Sequence, residues 1–234
     1  MGASHTALVQ HCKDAASPYV DTSAYSHINY VTDNGYDYSE YGFYLNSVAG
    51  GVVQSSGFTF MSLDSVTDHS VWAHELGHTI ELPHSPGANG ATYGNDWTVM
   101  SSNGRWQFGP FELGFLDVAQ HPNVFEKNKK GWIDADELLT VNAESVEVVI
   151  DPSHLNHATA GNYRAVIIPI EGSIDYYTVE VRKSGSEGGI YDGNLPGSGV
   201  IIHAVLESRD EPAHLIGREG LARGEEAWQA GETF

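Results

Sequence analysis

Cysteine is nearly absent: Cys12 is the only one in 234 residues. That excludes an intrachain disulfide and a cysteine-rich zinc site. Positive charge is also scarce. Eleven Lys+Arg face 31 Asp+Glu, for a formal charge of −20. A surface of that sign repels nucleic-acid phosphates and anionic lipid headgroups, so neither is an expected partner. No apolar run approaches the ~18 residues that a membrane span needs. The opening "MGASHTALVQHCKDA" lacks a basic stretch leading into an apolar one and does not read as a signal peptide. The closing "EEAWQAGETF" has neither a turn nor a polar tail, so the natural chain is expected to continue past one or both ends. There is no Gly-x-Ser-x-Gly elbow, which leaves a serine hydrolase unsupported. Strong acidity with little lysine suits a protein kept soluble outside a cell, and a monomer is the expectation.

What remains is an ordinary globular composition, long enough to bury a core. Residues 1–64 read as alternating helix and strand. "HINYVT" and "YGFYLNSV" are β-forming runs, and "AGGVVQSSGFTFMSLD" reads as two short strands about Ser55, Ser56 and Gly57. A helix follows, with Ser65, Thr67 or Asp68 as its cap and Val71, Trp72, Leu76 and Ile80 at helical spacing. Residues 85–109 are dense in Gly, Asn and Ser and read as a long loop, which in a compact domain has a functional reason. "PFELGFLDVAQ" reads as a helix with Pro110 in its first turn. After about Lys130, "LLTV", "VEVVIDP", "YRAVIIPI", "YYTVEVRK" and "GVIIHAVL" read as strands. The expected class is α+β. A first part, 1–125, carries the chemistry, and a β-rich part, 126–234, follows it; the boundary is soft and the two could form one continuous unit.

The chemistry sits in "VWAHELGHTIELPHSPG", residues 71–87, which holds three of the twelve histidines. Residues four apart on a helix share a face, so His74 and His78 can turn two imidazoles toward one ion. Glu75 follows His74 and can take a proton from water held by that ion. Both spacings together make the HExxH pattern. Continued helix would carry His84 off that face. Pro83 disfavours helix at Leu82, so the chain is expected to turn and bring His84 back as a third ligand, leaving a position for water. Zinc is the expected ion, although imidazole suits other divalent metals too.

Several other features weigh less. "EKNKKGWIDADE" shares Asn128, Gly131, Ile133, Asp134 and Glu137 with an EF-hand loop, but Glu126 and Lys130 stand where ligands belong. Calcium elsewhere on so acidic a surface is an expectation without a place. His154 and His157, near Asp151, read as turn residues, and Cys12 as an idle thiol.

"HELGHTIELPH" resembles the metzincin zinc-peptidase signature HExxHxxGxxH, and "DWTVMSS" resembles the Met-turn of that clan. Within the clan the chain is most similar to the gametolysin-like and immune-inhibitor-A-like secreted peptidases. "TYGNDWTVM", "GWIDADELLTV" and residues 176–205 extend the likeness, which spans about residues 27–206 in all. One position departs: Glu81 stands where the signature has Gly. A non-Gly residue in the left-handed turn that frees the third histidine costs on the order of 1 kcal/mol.

The resemblance implies a catalytic domain with a twisted mixed sheet and an active-site helix. It implies Zn²⁺ on His74, His78 and His84, Glu75 as general base and Met100 as a floor beneath the metal. It also implies a secreted endopeptidase acting on proteins or glycoproteins, with an edge strand that pairs with substrate; "GGVVQSS", residues 50–56, is the candidate. Tyr93, Trp106 and His203 are candidates for stabilising the transition state. Two rival functions are a non-catalytic, zinc-stabilised binding or adhesion module and a zinc hydrolase of glycosylated or cell-wall peptides.

Overall fold

The computed structural model describes residues 5–32, 41–49, 52–63, 68–101, 106–111, 114–142, 145–217 and 224–234. The fold is mixed α+β. The chain divides into two compact units, Met1–Leu82 and Pro83–Phe234, and the join expected near 125/126 falls inside the helix α3 (Val124–Lys129). No helix among the described residues is long and apolar enough to cross a membrane.

In Met1–Leu82, helix α1 (His5–Ala16) precedes strands β1 (His27–Thr32), β2 (Tyr41–Ala49) and β3 (Val52–Ser62). The sheet order is β1-β3-β2. Strand β1 runs parallel to β3, and β2 runs antiparallel to it. Residues 52–62 form one strand where two were expected. Gly57 is not a turn in it. A Cβ at Gly57 would stand 2.6 Å from the Cβ of Thr79 and 2.3 Å from His27 Cδ2, so the missing side chain admits close packing there. The core is Val9, Phe58 and Phe60, with Leu8, Cys12, Ile28 and Tyr30 packed against it. Tyr30 stacks on Phe60 with centroids 4.8 Å apart.

Helix α2 (His69–Thr79) ends this unit. Asp68 caps it, accepting from the backbone N–H of Ser70 at 2.9 Å and of Val71 at 3.2 Å; Ser65 and Thr67 lie outside the described residues. The buried face is not the one that its large apolar residues suggest. Leu76 is exposed, while Ser70, Val71, His74, Glu75, Gly77 and Thr79 are buried. Apart from Val71, the buried residues of the helix are small or polar.

In Pro83–Phe234, a turn-rich segment runs to Ser101. Strands β4 (Trp106–Phe111) and β5 (Gly114–Val118) follow as an antiparallel pair. This corrects the expected helix over 110–120. Phe111, Phe115, Val118 and Gly114 in that run favour strand over helix. Helix α3 then carries a capping box between Asn123 and Glu126. Strands β6 (Leu138–Thr140), β7 (Ala165–Pro169), β8 (Tyr176–Arg182), β9 (Gly199–Val205) and β10 (Ala213–Leu215) make a five-stranded mixed sheet in the order β10-β9-β8-β7-β6. "VEVVIDP", expected as a strand, makes only isolated bridges, at Ile150 and Pro152. Trp97, Leu195, Ile201, Leu215 and Ala227 form the main apolar cluster.

The interior of this second unit is also polar. Arg182 is fully buried and binds Asp192 through two nitrogens, at 2.7 and 3.0 Å. Its remaining donors reach the carbonyls of Trp97 at 2.6 Å and His121 at 3.3 Å. Burial works against its charge, but Asp192 and Glu180 outweigh that and raise its pKa. Glu126 accepts from Thr98 at 2.5 Å and from the Asn123 amide at 2.7 Å. Burial nevertheless pushes its carboxyl up to about 8.

Candidate metal centre

Helix α2 closes with a Schellman turn. The N–H of Leu82 bonds the carbonyl of Gly77 at 3.0 Å, and that of Glu81 bonds His78 at 3.0 Å. The turn needs a left-handed residue between them, and Glu81 supplies it at φ 67. Among the described residues it is the only non-glycine with positive φ. The departure from the glycine signature is therefore carried as backbone strain, and the turn keeps its form.

The same turn orients a ligand. The Leu82 carbonyl can only accept, so His78 donates its Nδ1–H to it at 2.9 Å. That fixes the neutral tautomer with a lone pair on Nε2. His78 Nε2 lies 3.1 Å from His74 Nε2, and the rings meet nearly edge to face at 87°. Two nitrogens each about 2.0–2.1 Å from a tetrahedral ion stand about 3.3 Å apart, so this spacing, which is also that of a hydrogen bond, is compatible with a shared cation. Burial lowers the pKa of His78, partly opposed by the Leu82 bond, which favours the unprotonated ring that a metal needs.

Two residues past Leu82 the continuous chain reaches His84. The ligand atoms of His74, His78 and His84 lie within 4.8 Å of one another. The donor set is three imidazoles, which fits zinc or another borderline divalent ion. His74 and Glu75 are buried, and His78 and His84 half-buried.

The segment after His84 is braced rather than loose. Gly87 passes so close to Gly94 that a Cβ would sit 2.4 Å from that backbone. The backbone N–H of buried Asn95 donates to the Ser101 hydroxyl at 3.0 Å, and its Oδ1 accepts from the Trp97 N–H at 3.0 Å. Met100, fully buried, closes a turn whose carbonyl accepts from the N–H of Ser85 at 3.0 Å. The expected Met-turn is thus tied to the residue directly after the third histidine.

Of the candidates for transition-state stabilisation, Tyr93 lies beside His84 with ring centroids 5.0 Å apart. His203 does not qualify. It is fully enclosed in the second unit, accepts on Nε2 from Asn95 at 3.0 Å, and burial pushes its pKa down to about 3. The Trp106 side chain lies outside the described residues. His157 turns toward Asp134 and Glu137, at 3.6 and 3.4 Å, rather than toward Asp151. The EF-hand-like segment forms the end of α3, a turn at Gly131 and a short 3₁₀ turn over Ala135–Glu137, and its Asp134 and Glu137 lie with His157 in a second group that could hold an ion.

One residue at the centre was missed from sequence. Glu211 stands 3.3 Å from His84 Nδ1. It is one acid among many, and no local pattern marks it.

Comparison of the chain with protein-family models, with curated proteins and with solved structures found no match in any of the three.

Proposed function

We propose that the protein is a secreted zinc endopeptidase of metzincin type. The observation that carries this reading is the three-imidazole group, in which the Nδ1 of His78 is held by an acceptor that leaves its Nε2 for an ion. The mixed sheet followed in the chain by the HExxH helix, and the turn at Met100 bonded to Ser85, are in keeping with the fold that the resemblance implies.

Zinc on His74, His78 and His84 would polarise a substrate carbonyl and bring a water toward a pKa of about 7. Glu75 is placed by helix geometry one residue after the first ligand. It takes the proton as the water attacks the peptide carbonyl and delivers it to the leaving amine. Its burial removes competing solvent and strengthens that exchange. Tyr93, beside His84, is the candidate donor to the oxyanion. The substrate backbone has a place to pair. Strand β1 covers β3 only from Gly57 onward, so over residues 52–56 β3 pairs with β2 alone among the described residues. An extended peptide can add to that edge.

The test is metal content, then cleavage of unfolded casein with and without a chelator, then Glu75→Ala. About one zinc per chain and chelator-sensitive cleavage are expected. Glu75→Ala is expected to lose about 10²–10⁴-fold in rate while keeping its zinc. Zinc-loaded, folded protein that cleaves nothing would leave a binding module instead. Cleavage confined to glycosylated or cell-wall peptides would favour the narrower hydrolase.

A further inference from the structure

We propose that Glu211 is a positioning residue for the third metal ligand, holding His84 by Nδ1 so that Nε2 is presented to the ion. The inference rests on the metal reading of the three histidines and deepens it.

Metal-binding imidazoles generally donate their second ring N–H to a carboxylate or a carbonyl, which fixes tautomer and ring orientation. His78 does this through the Leu82 carbonyl. For His84 the partner is Glu211, whose Oε1 lies 3.3 Å from Nδ1. A carboxylate can only accept, so the proton is on Nδ1 and the lone pair on Nε2.

In so acidic a chain, a carboxylate can meet a histidine by chance. Two features set this pair apart. First, the other carboxylate oxygen is also engaged: Oε2 accepts from the Thr92 hydroxyl at 3.3 Å. The Tyr93 ring meets the imidazole at 71°, which limits its rotation. Second, the backbones on either side are pinned together. The Ser85 hydroxyl donates to the Ala213 carbonyl at 2.7 Å, and the Leu215 N–H to the Pro86 carbonyl at 2.9 Å. The Leu206 N–H bonds the Pro212 carbonyl at 3.0 Å, closing the loop that carries Glu211. Residues 84 and 211 thus flank a fixed clamp, and their side chains meet in a set geometry. A surface pair held only by its charges needs none of this.

The test uses the full chain as wild type, Glu211→Gln, Glu211→Ala, Thr92→Val and His84→Ala. Zinc affinity is read by competition with a chromophoric chelator, and ligand geometry by the visible absorption of the cobalt-substituted protein. Glu211→Ala is expected to weaken zinc binding about 10–100-fold and to alter the cobalt spectrum. Glu211→Gln, whose amide oxygen still accepts from Nδ1, is expected to recover most of that loss. Thermal unfolding of the metal-free proteins is expected to change little between them, because a partly exposed polar contact of this kind adds little stability. Thr92→Val keeps the carboxylate but releases its second oxygen. It is expected to weaken zinc binding to a smaller degree, and it serves as the readout if Glu211→Ala does not fold. Unchanged affinity and an unchanged cobalt spectrum in the folded Glu211 and Thr92 variants overturn the positioning role. Wild-type protein that takes up no zinc, or His84→Ala that binds as tightly as wild type, overturns instead the metal reading beneath it.

Discussion

The two compact units solve the same burial problem with different chemistry. In Met1–Leu82 the described core is Val9, Phe58 and Phe60, ringed by Leu8, Ile28 and Tyr30. In Pro83–Phe234 fully buried Arg182, Asp192, Glu180 and Glu126 share the interior with Trp97 and Ile201. An apolar core gains from area removed from water and tolerates swaps of similar volume. A buried charge network gains little net stability but penalises every partial disruption, because whatever is left unpaired stays desolvated. The second unit also carries the braced segment after His84 and the Glu211 loop, where fixed geometry matters more than net stability.

The largest expected effect tests that contrast directly. Arg182→Met leaves the Asp192 carboxylate and the Trp97 carbonyl without their donor, and is expected to destabilise the second unit by about 3–5 kcal/mol. Arg182→Met with Asp192→Leu is expected to cost less than Arg182→Met alone, since the Asp192 carboxylate is no longer left without its guanidinium. In the first unit, Phe58→Ala is expected to cost about 3–5 kcal/mol through the cavity it leaves, with no second-site change of this kind to recover it. Urea unfolding followed by peptide-resolved hydrogen exchange separates the units. A double variant no better than the single would erase the distinction.

Next in size is acid. His121 and His203 are each pushed down to about 3, burial being the first cause in both. Their folded pKa lies below the ordinary 6.5, so the stability they contribute is present above pH 6.5 and is lost as the pH falls toward 3. Exchange protection of residues 195–215 is expected to fall across that window sooner than that of residues 5–16. Equal loss in both would show that the buried histidines are not what acid attacks.

Gly57→Ala places a methyl against Thr79 and His27, and is expected to cost about 1–3 kcal/mol in the first unit, read as a lower thermal midpoint. The smallest effect is a gain. Glu81→Gly relieves the φ of 67 and is expected to stabilise the turn by up to about 1 kcal/mol, read as slower exchange at Leu82 with zinc affinity retained.

The first strands and the candidate ligands were readable in the sequence, for physical reasons. His27–Thr32 and Tyr41–Ala49 are β-forming runs with polar bounds, and the structure has them as strands. The HExxH spacing and Pro83 predict a helix, a stop and a returning histidine, and the three ring nitrogens do converge. Short-range rules failed where distant pairing decides. Residues 110–120 satisfy a helix pattern locally but pair as a hairpin. Gly57 looks like a bend but marks a close approach. His84 with Glu211 is a partnership across a long separation, and no local pattern announces either it or the pairing of Arg182 with Asp192.

The tie between His84 and Glu211 joins residues made at very different moments of synthesis. A chain leaving the ribosome exposes HELGH and the following turn long before the carboxylate that seats the last imidazole. The nascent polypeptide therefore carries all three histidines before the contact between His84 and Glu211 can form. The last imidazole gains that neighbour late, once the stretch that pairs β9 with β10 has been made.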